Sequence, residues 1–583
     1  MTSNKPVTRK LINCPESCVD DNLLGLGAAY PLLHIHPKHR VVTSRQKEDY
    51  GKVAVIGGGG SGHEPFAAGF VGDGMLDGAV AGGVFASPPT GNVLYAIKYL
   101  IKHNSGGVLV LIGNYTGDRL NFGKAIEKAK IAGINVEGVI VGEDIASSNN
   151  KTGGRGMCAE VFLYKMCGAL SAEDAGLEEL RNLATDAAKR MATLGVCLTP
   201  CSLPGQPPLF EIEHGMMELG AGVHGEAGIA TVKLGTAHEV VAMILEKIIE
   251  HLNLSSGERV AAMVNNLGGT SIMEMNIISK EIKEFLDSRQ ILLERIYSGH
   301  MKSSLEMHGF QICLLHLDQR HGEAWLRLLD APTAAPGWPG GVASIRRQGG
   351  IGDDDSLTHT EETKPAVGPR LSGEQRRLLA GALRAAARAL RQAPAPALLN
   401  QLDAGCGDGD CGNTLDRFAA AVLQYLERAP LQYVSCVLRE LSELAETDMG
   451  GTSGGLYGLG LAAASQAFAS AKSVDVASWL LAWESATHAI SKYGGAEPGD
   501  RTMLDTLHAA AAAFKRSMKA DLRSLLAAAG AAAEDGARAT AFMSARAGRA
   551  SYVASTHTHD EDAGARAAAI WLQAIFTSIS QNL

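Results

Sequence analysis

Along the first 330 positions, short runs of β-branched and aliphatic residues alternate with longer amphipathic stretches. KVAVIGG starts at Lys52, VLVLIG occupies 108–113, NVEGVIVG 135–142 and RVAAMVNNLGG 259–269. Strands that alternate with helical patterns predict an α/β domain with mainly parallel strands. After about Leu371 the pattern becomes rich in Ala and Leu, as in GEQRRLLAGALRAAARALRQA and DTLHAAAAAFKRSMKADLRSLLAAAGAAAEDGARA. Apolar residues there recur three and four apart among strong helix formers, so this half is expected to be all helical. Glycine-rich breaks at 405–412, 450–460 and 494–499 punctuate the helices. Between the halves, the segment from about Asp330 to Leu371 is rich in Gly, Pro, Asp and Thr and has no periodic apolar pattern, which is how a linker reads. The expected organisation is a domain over 1–338, a linker over 339–371 and a second domain over 372–583.

Composition narrows the choice of partners. A chain of 583 residues, 46% of them hydrophobic, is long and apolar enough for at least two packed domains. With 53 Lys+Arg against 62 Asp+Glu, the formal net charge is −9 and there is no long basic run, which argues against nucleic acid as a partner. No apolar stretch approaches the roughly 18 residues of a membrane span, and MTSNKPVTRK lacks the apolar core of a signal peptide. The spacings Cys14 to Cys18 and Cys197 to Cys201 give no CxxC pair, so the cysteines read as reduced thiols in a cytoplasmic protein.

Three segments of the first half carry candidate chemistry. GGGGSGHEP follows a predicted strand, and Gly57, Gly59 and Gly62 satisfy the spacing GxGxxG. Such a turn lets backbone amides approach a polar ligand, with Asp73 or Asp77 as the acidic partner of a ribose, or it is a packing turn without a ligand. The motif lacks the GK[ST] ending of a P-loop and carries His63 and Glu64 where a dinucleotide-binding helix continues with apolar residues. In NYTGDRLNFG, Asp118 is expected on a loop past a strand's carboxyl end, the edge where open parallel sheets bind ligands, and its carboxylate could serve as a general base. In ELGAGVHGEAG, His224 lies between Gly222 and Gly225, so its imidazole is either presented to a small molecule or satisfied structurally.

In the second half, LDAGCGDGDCGNT places Asp403, Asp408 and Asp410 within eight residues, interleaved with glycines. Three carboxylates on one flexible loop repel each other unless a cation lies among them, and hard oxygen donors suit Mg²⁺; otherwise the loop is a solvated acidic turn. An EF-hand is excluded, because the twelfth residue counted from Asp403 is Thr414 rather than Glu. MGGTSGGLYG offers Thr452 and Ser453, YGGAEPGDRTMLD offers Arg501, and GRASY at 548–552 is a further turn of this kind. Glycine-rich helix starts bind phosphate through exposed amides, so a Mg-nucleotide site in an α-helical domain is expected.

Together GGGGSGHEP, NYTGDRLNFG, GVHGEAG, NNLGG, LDAGCGDGDCG, MGGTSGGLYG and YGGAEPGDRTMLD resemble, in order, the motifs of the ATP-dependent dihydroxyacetone kinases, in particular the single-chain, triokinase/FMN cyclase-like members. The resemblance implies two α/β subdomains that bind the triose, joined to a C-terminal barrel of helices that holds ATP with divalent cations. It implies that His224 forms a covalent hemiaminal with the substrate carbonyl, which selects ketones and aldehydes over glycerol. Gly60, Ser61, Gly62 and His63 would line the triose site, with Asp118 accepting the proton of the attacking hydroxyl and His63 sharing the acid/base work. Asp403, Asp408 and Asp410 match the magnesium ligands. Asp410, Cys411, Gly412, Asn413, Thr452, Ser453, Gly494, Thr502 and Met503 would meet the nucleotide, Arg501 would clamp a phosphate, and Asp562, Ala563 and Gly564 would form the loop that covers it.

Two positions depart from the pattern. Gly113 stands where many relatives have a lysine, in KNYTGD, and Ala563 stands where the family has the proline of DPG. The HIHPKH run at 34–39 and the THTHDED run containing His557 and His559 are expected to be solvated polar loops. The expected activity is ATP-dependent phosphorylation of dihydroxyacetone and glyceraldehyde. The alternatives are FAD-AMP lyase activity forming cyclic FMN, with Mn²⁺ or Co²⁺ as possible metals, and a non-catalytic metabolite-sensing or partner-binding paralogue. A homodimer is expected, and since a flexible linker of this length spans about 30 to 40 Å, one subunit's helical domain could serve its neighbour's triose site, with transfer within one subunit equally open.

Overall fold

The computed structural model describes residues 9–44, 51–146, 151, 153–339, 367–405, 407–552 and 560–583. The chain divides into two compact units, Met1–Asp353 and Asp354–Leu583. His557, His559 and most of the expected linker lie outside the described residues.

The first unit contains two six-stranded sheets. One has the order β1(Leu33–His36), β2(Val41–Ser44), β4(Gly78–Val84), β3(Val53–Ser61), β5(Gly107–Gly113), β6(Val136–Val141). Its β4-β3-β5-β6 portion is parallel and its β1-β2-β4 edge antiparallel. The other has the order β11(Leu292–Gly299), β10(Arg259–Asn266), β12(His308–His316), β7(Met191–Thr199), β8(Met216–Leu219), β9(Ala230–Lys233). There only β10 and β11 run parallel, which corrects the expectation of mainly parallel strands throughout. The parallel pair retains a helical crossover, Ile272–Ser288, whereas β11 returns to β12 through an eight-residue connection at 300–307. A parallel return needs a crossover of a dozen residues or more.

Residue alternation along the strands explains the layering. Val53 and Val55 of β3, Leu109 and Leu111 of β5, and Ala261 and Met263 of β10 all enter one shared core. Ala54, Ile56, Val108 and Val110 point to the opposite face of the first sheet, and Val260, Ala262 and Val264 to the opposite face of the second. The helix Glu160–Ser171 contributes to the shared core, and all twelve of its residues are buried. That is why its sequence shows no solvated stripe.

The glycine segment expected to be a turn is instead the carboxyl half of β3, paired along β4 up to Ser61. Only a 3₁₀ turn at Ala68–Phe70 lies between β3 and β4, with no α-helix, so the dinucleotide reading fails; Asp77 pairs with Lys52 and accepts the Val55 N–H. Side chains are excluded here by close approaches: a Cβ on Gly57 would lie 2.6 Å from the Tyr164 ring, and one on Gly58 2.4 Å from the Val80 carbonyl oxygen. HIHPKH is also ordered rather than a solvated loop. It forms β1 and a 3₁₀ turn at Pro37–His39, where the Tyr95 hydroxyl and Thr43 hydrogen-bond the buried His36 and burial lowers that histidine's pKa to about 4.

In the second unit the described residues form helices and no strand. Helices Gly373–Arg391, Cys411–Arg428, Val434–Leu444, Gly451–Ala469, Val476–Gly494, Met503–Arg516, Leu522–Ala539 and Ala563–Gln581 pack in succession, and the last closes against the first. The shorter helix Ala395–Ala404 leans on Cys411–Arg428. This is the barrel of helices that the motifs implied. Capping boxes at Ser372, Asp475 and Thr502 fix three of the helix starts.

Candidate active-site groups in the two units

The first unit gathers its polar groups at the carboxyl ends of β3 and β5, where parallel sheets bind ligands. Beyond Ser61, Gly62 adopts φ +93, and a Cβ there would strike the Phe85 ring at 2.8 Å. That turn buries His63, whose Nδ1 donates to the Ser303 carbonyl at 2.8 Å. Its Nε2 therefore carries the lone pair, and it has no hydrogen-bond partner among the described residues. Ser61 spends its hydroxyl on the Gly82 carbonyl, 2.9 Å away.

His224 is enclosed by rings. Tyr115 and Phe85 stand perpendicular to it, with centroid separations of 4.4 and 5.5 Å, and His63 lies edge-on at 4.9 Å. Glu226 accepts the His224 backbone N–H at 3.0 Å and is itself held by Arg155 at 2.9 Å. Burial lowers the imidazole pKa to about 4; Glu226 opposes this shift, and Lys302 and Arg155 assist it. His63 is likewise pushed well below its ordinary value, first by burial and then by His224 and Lys302. Both rings are neutral at physiological pH, and a neutral imidazole is a nucleophile or base.

Asp118 lies in the first turn of the helix Thr116–Ile131, not on the expected loop. Its Oδ1 is buried without a hydrogen-bond partner among the described residues. Burial raises its pKa, against the pull of Ser87 and Lys302, which makes the carboxylate a better base. A Cβ on Gly59 would lie 3.9 Å from Asp118 Oδ2, so β3 faces this carboxylate with backbone alone.

Lys302 was not anticipated. It follows β11, where Asn265 of the NNLGG segment binds its backbone from both sides, accepting the Lys302 N–H at 3.0 Å and donating to its carbonyl at 2.7 Å. The ammonium is buried, 2.7 Å from Glu160 Oε1, 3.1 Å from the Gly156 carbonyl and 4.1 Å above the Phe66 ring. A single lysine in a polar connection gives no sequence signal, and Glu160 was hidden in a helix without periodicity.

In the second unit, Asp403, Asp408 and Asp410 each offer a carboxylate oxygen within 4.8 Å of the others. Asp403 organises the loop by accepting the N–H groups of Gly409 and Asp410 at 2.9 and 3.1 Å. Gly407 permits this geometry, since a Cβ there would come within 2.2 Å of Asp403 Oδ1. Three convergent hard-oxygen donors fit Mg²⁺. The amides of Gly412 and Asn413, residues expected to meet the nucleotide, donate to Asn400 Oδ1 at 2.7 and 3.2 Å.

Thr452 and Ser453 open the helix Gly451–Ala469, tied to the aspartate loop through Arg417, which reaches both Thr414 Oγ1 and the Met449 carbonyl. Gly494 packs against Leu456 of the same helix. Arg501 is only 2% exposed and donates to the Asp560 carbonyl at 2.7 Å. Thr502 caps the next helix, and Met503 lies against Gly564. Asp562 caps the helix that Ala563 starts, accepting the Ala565 N–H at 2.8 Å, so this helix is capped without proline at its first position. Burial pushes the Asp562 carboxyl up to about 6.

Residues 24–337 match the Dak1 domain family and residues 405–577 the DAK2 domain family. The chain belongs to the dihydroxyacetone kinase family. Among family members, the human protein named triokinase/FMN cyclase is 41% identical over 97% of this chain and 99% of its own length. Dihydroxyacetone kinase 1 of Saccharomyces cerevisiae is 32% identical over 94% of this chain and 96% of its own. The crystal structure of the dihydroxyacetone kinase from C. freundii in complex with AMP-PNP and Mg²⁺ superposes with a TM-score of 0.67 at 30% identity, covering 99% of this chain and all of that one. No described helix of this family member is long and apolar enough to cross a membrane.

Proposed function

We propose that this chain phosphorylates dihydroxyacetone and glyceraldehyde from ATP, with His224 as the covalent anchor for the triose. The observation that carries the reading is the neutral imidazole enclosed by Tyr115, Phe85 and His63, together with two buried acceptors of the same unit, His63 Nε2 and Asp118 Oδ1, that the described protein leaves unsatisfied. Buried polar atoms without partners point to a polar ligand.

In this reading an imidazole nitrogen of His224 adds to the carbonyl carbon. One C–N bond forms, the carbonyl π bond opens, and the proton shed by the imidazolium neutralises the alkoxide to give a hemiaminal. Glycerol has no carbonyl and is refused. Gly60, Ser61 and Gly62 shape the backbone side of the site, and His63 Nε2 accepts a substrate hydroxyl. Asp118 takes the proton of the hydroxyl that attacks the γ-phosphoryl group. Asp403, Asp408 and Asp410 would hold Mg²⁺, which neutralises developing phosphate charge when bound. Cys411, Gly412, Asn413, Thr452, Ser453, Gly494, Arg501, Thr502, Met503 and Asp562–Gly564 form the nucleotide site.

ADP release with dihydroxyacetone, glyceraldehyde, glycerol or no acceptor tests the reading. Turnover with both carbonyl trioses alone is expected, and its loss in folded His224→Ala; full activity of that variant would refute the anchor. FAD-AMP lyase activity is a second reading, favoured by the triokinase/FMN cyclase name of the human relative. Cyclic FMN formation should then survive His224→Ala and fail in Asp410→Ala. The proposal extends to a cytoplasmic homodimer with transfer between subunits. Mixing His224→Ala with Asp410→Ala protein should restore triose kinase activity if transfer crosses subunits, and should not if it stays within one.

A further inference from the structure

Gly113 closes β5 beside the triose-site groups, and the space above it is occupied. A Cβ built there would meet Glu160 Oε1 at 2.6 Å and Lys302 Nζ at 3.5 Å. The place where a side chain at 113 would begin is therefore filled by a cation from another strand connection and by its carboxylate partner. The ammonium lies over Phe66 and 5.6 Å from the ring centre of Tyr115, the ring that abuts His224.

We propose that Lys302 is the positioning cation of the triose site, delivered from the β11–β12 connection into the space left by Gly113 and set beside the Tyr115 ring that abuts His224. The inference rests on the triose-site reading given above. Asn265 fixes where the lysine backbone enters, Glu160 and the Gly156 carbonyl fix the ammonium, and Tyr164 donates to the far oxygen of Glu160 at 3.2 Å. Other charged and titratable groups face the same cluster. Glu226 and Arg155 face His224, His224 faces His63, and Glu160 faces Asp118, while Glu143 lies behind Glu160. Lys302 is the cation that acts on all three triose-site groups in the same sense, disfavouring protonation. Gly113 is then matched by Lys302 rather than being a simple loss of charge.

The sign of the effect is fixed. Removing the ammonium makes His224, His63 and Asp118 easier to protonate, so the acid limb of kcat/KM for dihydroxyacetone moves to higher pH. Lys302→Met in the full chain is expected to move that limb upward by about one pH unit, the scale of a single close charge, so that the loss of kcat/KM grows as pH falls through the limb and approaches about tenfold below it. Lys302→Met/Glu160→Gln removes the unpaired carboxylate, which also faces Asp118, and should show a limb still above wild type but no higher than that of Lys302→Met, with native melting behaviour. Gly113→Lys/Lys302→Met returns an ammonium from the opposite side, against the flexible end of Glu160, and should restore the limb, whereas Gly113→Ala/Lys302→Met should not. An unshifted limb in Lys302→Met, equal recovery with alanine, or failure of both Lys302→Met and Lys302→Met/Glu160→Gln to fold would overturn the proposal and leave Lys302 a structural counter-ion. Full dihydroxyacetone turnover in His224→Ala would instead overturn the underlying reading, whatever the lysine variants do.

Discussion

The imidazole of His224 stands at 89° to the ring of Tyr115, with their centroids 4.4 Å apart. Edge-to-face ring pairs contribute about 0.5 to 1.5 kcal/mol beyond their area and hold one another in orientation. Tyr115→Ala is therefore expected to lower kcat/KM for dihydroxyacetone by about ten- to a hundredfold, because small misplacements of a reacting group are costly. Tyr115→Phe keeps the ring and should stay near wild type. Steady-state ADP release separates the two, and equal losses in both variants would show that the hydroxyl, not the ring, matters.

The pKa of about 4 at His224 makes a spectroscopic prediction. An ordinary imidazole titrates near 6.5, so a solvated His224 would change its NMR shifts around neutrality. The enclosed ring should hold its shifts from pH 8 down to 5 and move only below that. A midpoint near 6.5 would contradict the enclosure.

Glu143 makes the converse case for stability. Burial, reinforced by Glu160, pushes its carboxyl up to about 7, although it accepts the N–H groups of Met157 and Ala159 at 2.9 Å each. A carboxyl raised in the folded state binds its proton more tightly there than in the unfolded chain, so it costs stability as pH rises from about 4.5 through 7. Glu143→Gln keeps the two acceptor bonds without the charge. It should raise stability at pH 8 by up to about 3 kcal/mol, since a tenfold change in proton affinity corresponds to about 1.4 kcal/mol, and leave it nearly unchanged at pH 4. Thermal melts at the two pH values give the comparison.

The three aspartates should not respond alike. Asp403 is half-buried and orders the loop through two backbone N–H groups, whereas the Asp408 side chain lies exposed at the rim. Asp408→Asn should raise the Mg²⁺ concentration for half-maximal activity at least tenfold with unchanged melting. Asp403→Ala should do the same and also lower the melting temperature, since losing the acceptor of two amides costs about 1 to 3 kcal/mol. Identical melting of the two variants would refute the difference.

Gly58 offers a test of packing alone. A methyl group there would lie 2.4 Å from the Val80 carbonyl oxygen, on the strand that pairs with β3. Gly58→Ala should destabilise the first unit by about 1 to 3 kcal/mol through overpacking. Denaturant unfolding measures this directly, and a neutral effect would mean that β4 yields easily.

Much of this was legible in the chain. Four apolar runs became β3, β5, β6 and β10, and the Ala- and Leu-rich half became helices. The antiparallel strands of the second sheet were not separated out, because a mixed sheet buried on both faces leaves no polar alternation to read. His63, Asp118 and His224 stood out by their glycine-rich neighbourhoods. Lys302, Glu160 and Arg155 did not, because their roles come from contacts spanning 65 to 146 residues that local spacing does not encode. GGGGSG misled for a related reason. Gly57 and Gly58 answer to Tyr164 and Val80, which are distant in sequence, and only Gly62 at its end serves a turn.

The helix Glu160–Ser171 has no solvent face because β3 and β5 of the first sheet, the helices Leu177–Ala188 and Gly322–Asp330, and Tyr297 of β11 against Phe162 surround it. Excising either sheet would strip one flank of this helix and expose Glu160 and Lys165 in a half-built core. The first unit is therefore not divisible into two modules, despite having two sheets. Gene fragments cut between β6 and β7 should fail to fold separately, and recombination among relatives should preserve the two sheets as one inherited block.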